Sequence, residues 1–422
     1  MNGHCLSSDD RNGFGVRKIE SALPVSSRAI NTHNPIRNIV DQMKIEPNVE
    51  KSFIPLSIGD PTTFGNLPIS CATKEALFDV IEKGNCHGYG PSDGFLVAKE
   101  AIAQFYSTDL YPLSTNDIIL TSSCSGAIDL AIGAVAEEGT NILIPRPGFS
   151  IYESLTTLYN VNVKHYNLKP DKNWQIDLEH LEALVDPKTS AIVVCNPSNP
   201  CGSVWSRSHM ISILKIAERH SLPIIADEIY ADMVFSDVDY ASFGQLSKNV
   251  PILIMGGMAK RWLVPGWRIG WILIQDRHNK LTYVRKGLKN LSQRILGPNS
   301  LCQLAIPKIL NETSDVFYEN VMRKLEKNAK FAFKILSKCP GLKPVMPSGA
   351  MYMMVGIDTS KFGKDMNDLT FTQDLVKEQS VFCLPGSCFH YPNYFRIVLT
   401  VPPEMMEEAC VRIDEFCRDK LE

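Results

Sequence analysis

Between residues 117 and 274 the chain repeats one alternation that few folds can accommodate. Short β-branched runs, DIILT at 117–121, NILIP at 141–145, SAIVVC at 190–195, PIIAD at 223–227, PILIM at 251–255 and RIGWILI at 268–274, are separated in several places by helical patterns such as SGAIDLAIGAVAEE and SHMISILKIAERH. Apolar runs without polar alternation suit strands covered on both faces, and crossover helices supply that cover. The pattern therefore predicts an α/β fold around a mostly parallel sheet. At 422 residues the chain exceeds what one hydrophobic core organises, so more than one lobe is expected.

The texture changes outside that alternation. Residues 1–32 are polar and lack sustained periodicity, which reads as a flexible leader. Residues 33–72 contain the loop-like SIGDP and are assigned to a second lobe with 314–422, where a long amphipathic stretch precedes strands at MYMMVGI and YFRIVLTV and a final helix from Pro403 to Lys420. Residues 73–313 form the large lobe. A formal net charge of −3 with 21% charged residues makes nucleic acid an unexpected partner. The apolar runs fall short of the roughly 20 residues of a membrane span, and the start MNGHCLSSDDRNG has no signal-peptide pattern, so the expectation is no membrane and a cytoplasmic location. Twelve irregularly spaced cysteines without CxxC read as reduced thiols, and the histidines show no HExxH spacing, so no metal site is expected.

In open α/β sheets ligands bind beyond the carboxyl ends of the strands, so the residues that follow each run carry the chemistry. SAIVVC is followed by NPSNPCG with Asn199, PIIA by Asp227-Glu228-Ile229-Tyr230, and PILIM by Gly256-Gly257-Met258-Ala259-Lys260. Lys260 is the candidate nucleophile, because an amine withdrawn from water deprotonates more easily and can condense with an aldehyde cofactor. Asp227 could stay ionised against a protonated pyridine nitrogen and keep such a ring an electron sink; otherwise it would be a helix N-cap. Tyr230 and Asn199 could reach a phenolic oxygen on that ring, and each alone would pass for a turn residue. Ser123, Cys124 and Ser125 follow DIILT and open a helix, a phosphate-binding position that could equally be a serine cap. Arg268 would add a fixed bidentate charge, or else form a surface ion pair.

Taken in order, NPSNPCG, ADEIY and KRWLVPGWRIGWILI resemble the fold-type I, class I aminotransferases, and SIGDPTTFGNLP, PRPGFSIY, LSQRILGP and PSGAMYMMVGI resemble the members that act on tyrosine. The similarity runs from Asn34 to Cys417. It implies a large domain with a mainly parallel seven-stranded sheet, a smaller α+β domain, pyridoxal 5'-phosphate as cofactor, and a homodimer with shared sites. By resemblance Lys260 carries the cofactor and shuttles the proton, Asp227 pairs with the pyridine nitrogen, and Asn199 and Tyr230 contact the phenolic oxygen. Arg268, Ser123, Ser125 and the Cys124 backbone hold the phosphate, and Phe149 stacks on the ring. Tyr89 reaches the neighbouring subunit's phosphate, Arg396 and the Gly59 N–H take the substrate α-carboxylate, and Asn199 also binds substrate. Ser123 stands where glycine is common, and Gly257 where several relatives have a phosphate-binding serine. The implied reaction converts tyrosine and 2-oxoglutarate to 4-hydroxyphenylpyruvate and glutamate. Alternatives are a preference for alanine or for aromatic amino acids broadly, a carbon–sulfur lyase of the same fold, and a catalytically silent dimeric binding protein. For the distal carboxylate of 2-oxoglutarate, which strict dicarboxylate members of the family bind with an arginine from the neighbouring subunit, the nearest candidate by place in the chain is Arg294, which would otherwise be an exposed helix charge.

Overall fold

The structure is a computed structural model that describes residues 23–43, 45–363 and 365–421. Residues 1–22 of the expected leader lie outside the described residues; of the remainder, Ser27–Asn31 form a short helix. In chain order the strands are β1 (Ile54–Pro55), β2 (Ile118–Ser122), β3 (Asn141–Arg146), β4 (Asn162–Lys169), β5 (Gln175–Ile176), β6 (Thr189–Cys195), β7 (Ile224–Asp227), β8 (Ile252–Gly257), β9 (Ile269–Gln275), β10 (Leu342–Pro344), β11 (Tyr352–Ile357), β12 (Val381–Phe382), β13 (Leu384–Pro385) and β14 (Tyr394–Val398).

The large sheet has the order β2-β9-β8-β7-β6-β3-β4-β5. Neighbours from β8 to β4 pair in parallel, whereas β9 runs antiparallel to both β2 and β8, and the two-residue β5 is antiparallel to β4. Seven strands of the expected kind are thus joined by a short eighth at one edge. Side chains alternate between two cores, as the pleat requires. Ile192, Val194, Ile224, Ala226, Ile252 and Ile254 enter one; Val193, Cys195, Ile225, Leu253 and Met255 enter the other, where the helix Ser123–Val135 supplies Cys124, Ala127 and Ile128. Each fully buried aliphatic side chain of this kind contributes roughly 1.5–3 kcal/mol.

The smaller sheet, β10-β11-β14-β13, is antiparallel. The helices Asp315–Leu336 and Pro403–Asp419 share its core, with buried Leu325, Ala329, Met406 and Phe416. The segment before residue 73 meets this part of the chain: β1 pairs with β12, and the Val398 N–H donates to the Leu56 carbonyl at 2.9 Å. Among the described residues no helix is long and apolar enough to cross a membrane.

Candidate active site

The parity of β7 decides which neighbours Asp227 meets. Ala226 faces one core and Ile225 the other, so Asp227 shares the side of Ile225 with the helix Ser123–Val135. There its carboxylate accepts the Tyr152 hydroxyl at 2.6 Å, the Ile229 N–H at 3.2 Å and the Cys124 thiol at 3.5 Å. Asp227 is 3% exposed, and burial raises its pKa against the lowering effect of those bonds. Among the described residues no cation lies within ion-pair distance of it. A buried carboxylate held by neutral donors alone is suited to a cationic ring nitrogen.

Lys260 follows β8 after Gly256 to Ala259, and its Nζ donates to the Gly59 carbonyl at 2.6 Å. It stands 5.9 Å from the centre of the Tyr230 ring. The Tyr230 hydroxyl meets that of Tyr352 at 2.9 Å, and burial holds the Tyr230 phenol well above its ordinary pKa, so it remains a proton donor. Gly59 allows the segment this close an approach, because a Cβ there would lie 2.8 Å from the Tyr352 hydroxyl oxygen. The Gly59 N–H donates to no described residue, which leaves it free to bind an anion.

On the same cavity the helix Ser123–Val135 begins without a side-chain cap bond, leaving its first N–H groups for an anion. Antiparallel β9 starts at this same edge and brings Arg268 beside the helix start. Gly270 makes the approach possible: a Cβ on it would fall 2.3 Å from the Ser123 carbonyl carbon and 2.4 Å from the Cys124 nitrogen. Ser123 has φ 78° and Arg268 φ 55°, left-handed values that cost a non-glycine residue about 1–2 kcal/mol. Glycine would take the first position freely. At Gly257 a Cβ would lie 2.6 Å from the Ile269 carbonyl oxygen and 3.0 Å from the Gly270 Cα, so this backbone has no room there for a serine.

Arg396, on β14, is 4% exposed and has no carboxylate partner among the described residues. It donates to the Asn199 side-chain oxygen at 2.9 Å and to the Ser57 carbonyl at 2.8 Å, and its Nε is buried without a partner. The Tyr352 ring lies 4.3 Å and the Phe389 ring 5.1 Å from the guanidinium carbon. Burial works against the charge. Accepting Arg396 with its oxygen leaves the Asn199 amide nitrogen available as a donor.

Gly59, Ser123, Cys124, Ser125, Phe149, Asn199, Asp227, Tyr230, Lys260, Arg268 and Arg396 therefore line one cavity of about 480 Å³. Ile36, Arg37, Val40, Ile58, Phe382 and Leu384 add an apolar wall with one further cation. Two expected residues are elsewhere in their own chain. Tyr89 is 92% exposed, and Arg294 pairs with Asp129 at 2.5 Å and meets the Tyr159 hydroxyl at 3.2 Å. They share one rim, since Gly297 packs against Pro91 and Ser92 and the Ser300 hydroxyl donates to the Gly88 carbonyl. Sequence reasoning did not assign Tyr152, Tyr352 or Arg37. Tyr152 was detectable, standing three residues after Phe149 at the start of the next helix, where the two rings meet edge to face at 6.0 Å.

The donor set fits a flat heteroaromatic cation with a phosphate arm: the Asp227 carboxylate without a cation partner, uncapped helix N–H groups beside Arg268, and the Lys260 amine, all lining one cavity. The family model for aminotransferase class I and II matches residues 51–413. The chain is 53% identical over 402 residues to a tyrosine aminotransferase of Mus musculus, covering 95% of this chain and 88% of that one. It is 48% identical over 397 residues to one of Dictyostelium discoideum, covering 93% and 95%. The crystal structure of tyrosine aminotransferase from Leishmania infantum superposes with a TM-score of 0.92 at 35% identity, covering 95% of this chain and all of that one.

Proposed function

The chain belongs to the class I and II aminotransferases, and from that premise we propose that it moves the amino group of L-tyrosine to 2-oxoglutarate, giving 4-hydroxyphenylpyruvate and L-glutamate, the entry to tyrosine breakdown. The observation that carries this reading is the pair of buried, oppositely charged groups without ionic partners, Asp227 and Arg396, facing one cavity that the Lys260 amine also lines.

Bound pyridoxal 5'-phosphate supplies an aldehyde that accepts the amino group and a ring that draws off the electron pair left when the substrate Cα loses its proton. Lys260, whose Nζ reaches the Gly59 carbonyl across the cavity, would hold that aldehyde and, once free, would be the amine that takes the substrate Cα proton and gives it back. Asp227, oriented by Tyr152, keeps the ring nitrogen protonated. Tyr230 and the Asn199 amide would donate to the ring oxygen, Phe149 would cover the ring face, and Ser123, Ser125, the Cys124 N–H and Arg268 would hold the phosphate. Arg396 and the Gly59 N–H hold the α-carboxylate of either substrate, while Ile36, Val40 and Ile58 offer apolar contact to a phenol ring.

A second carboxylate needs a further cation. Among the cations that line this chain's own cavity, Lys260, Arg268 and Arg396 are committed, so Arg37 is assigned to it. Its side chain is 73% exposed and its contact with Asp41 spans 4.0 Å, which leaves it free to swing toward an acidic substrate and away from a ring. The exposed rim that carries Tyr89, Ile295 and Leu296 supports a homodimer in which Tyr89 serves the partner's site. Residues 73–313 act as the cofactor-binding domain, 33–72 and 314–422 as the smaller one, and the working location is the cytoplasm.

The test uses purified protein. An absorbing cofactor adduct reducible by borohydride is expected in wild type and absent in a folded Lys260→Ala variant, which loses transamination. A panel of tyrosine, phenylalanine, alanine and a cysteine conjugate against several oxo acids then reads specificity. A preference for alanine, or release of a thiol, overturns the tyrosine reading.

A further inference from the structure

Three side chains distant in sequence converge outside the active cavity. Glu153 lies on the helix Ile151–Leu158, His165 on β4, and His390 ends the turn Gly386–Phe389. One ligand atom from each lies within 4.8 Å of the other two. Both imidazoles address the same oxygen: His390 Nε2 is hydrogen-bonded to Glu153 Oε2, and His165 Nε2 stands 3.9 Å from it. The two rings are 4.7 Å apart, centre to centre. We propose that Glu153, His165 and His390 form a binding site for a divalent transition-metal ion, zinc by preference, joining the large sheet's lobe to the smaller one.

The donor set argues for the metal class. Two imidazoles and one carboxylate suit zinc, with a fourth position open to water, whereas calcium and magnesium favour oxygen ligands throughout. The protonation states agree. His390 keeps the Glu153 carboxylate below its ordinary pKa, and burial with the neighbouring His390 pushes His165 down to about 4, so at neutral pH His165 is a neutral ligand. Arg146 is the neighbouring cation acting on His165, and its guanidinium is bound by the Asn167 side chain at 3.0 and 2.6 Å. Coordination replaces the His390–Glu153 hydrogen bond.

The position gives the ion leverage on the active site. Glu153 follows Tyr152, whose hydroxyl holds Asp227, and His390 follows Phe389, which lies against Arg396. The segment that carries Arg37 is anchored at the same place: the Ser154 hydroxyl donates to the His33 carbonyl, that of Ser150 to the Asn34 side chain at 3.3 Å, and Ile36, Ile39 and Val40 pack on Leu384, Cys388 and Phe389. An ion here ties together the substrate arginine, the helix behind the cofactor and the segment over the cavity mouth.

The experiment titrates metal-free holoenzyme with Co2+, read by its visible ligand-field bands, followed by displacement with Zn2+. One equivalent per chain is expected, with a rise in melting temperature at saturating Zn2+. His165→Gln and His390→Asn should each lower the affinity by at least roughly tenfold and abolish that rise. Asparagine accepts the left-handed backbone of His390, φ 56°. Cys71→Ser, removing an exposed thiol, should change nothing. Unaltered binding in both histidine variants, no stoichiometric binding in wild type, or an anomalous zinc peak elsewhere in crystals of the holoenzyme overturns the proposal.

Discussion

Arg396 and Arg37 line one cavity, but their surroundings give them unequal weight. Arg396 is buried with an unpartnered Nε, so losing it leaves any bound α-carboxylate desolvated and unpaired, a loss on the order of 2–5 kcal/mol. Arg396→Ala should therefore raise KM about thirtyfold or more for both tyrosine and 2-oxoglutarate. An exposed pair contributes at most about 1 kcal/mol. Arg37→Met should accordingly weaken 2-oxoglutarate up to about fivefold and leave the tyrosine half-reaction unchanged; equal losses in separately measured half-reactions would remove Arg37 from this role. Glu228, one residue beyond Asp227 and 5% exposed, accepts the Phe243 N–H and the Tyr240 hydroxyl, yet burial raises its pKa from 4.5 to about 7. Between those values the folded chain retains a proton that the unfolded chain has released, so stability falls as pH rises through the window. Glu228→Gln keeps an oxygen acceptor and should flatten that slope, exceeding wild type above pH 7 by on the order of 1–3 kcal/mol. Melting temperatures between pH 5 and 8 read this directly, and an unchanged slope would assign it to other groups.

At the scale of elements, the phosphate end depends on how closely β9 approaches the helix Ser123–Val135. Gly270→Ala places a carbon inside backbone rather than against a movable side chain, so the helix start must shift. The expected result is a stability loss of about 1–3 kcal/mol and cofactor that dissociates on dialysis while wild type retains it. Cofactor retention equal to wild type would show that the helix start tolerates the shift. The strands that frame this end were legible because each is a continuous apolar run. β4 was not: NVKHYNLK has three apolar residues among five polar ones, and Lys164-His165 breaks the alternation that would mark a strand. β1, β5, β12 and β13, two residues each, are fixed by their partners rather than by local propensity. The chemical residues at strand ends stood out because a sheet of this topology gathers them at one edge. Tyr352 and Arg37 come from outside that alternation, and only packing of the smaller sheet and of the helix Pro35–Val40 brings them to the cavity.

For the whole molecule, the proposed homodimer makes a prediction that one chain cannot meet alone. If Tyr89 serves the neighbouring site, mixing inactive Lys260→Ala subunits with impaired Tyr89→Ala subunits creates dimers in which one site has a wild-type lysine and a wild-type tyrosine. Activity should rise above the sum of the separate variants after subunit exchange; strict additivity would place Tyr89 outside its partner's site. Glu153, His165 and His390 carry no spacing signal because their proximity belongs to the tertiary structure alone. The same holds for the bond from Arg396 to the Ser57 carbonyl, which spans 339 residues. At ribosomal speeds of about 5–20 residues per second, roughly 20–70 s separate the synthesis of its two ends. Throughout that interval the segment around Ser57 has left the ribosome without its partner strand or its arginine. A nascent chain can thus complete its central sheet well before it can grip a substrate, and a message broken anywhere upstream of codon 396 yields a protein without the clamp.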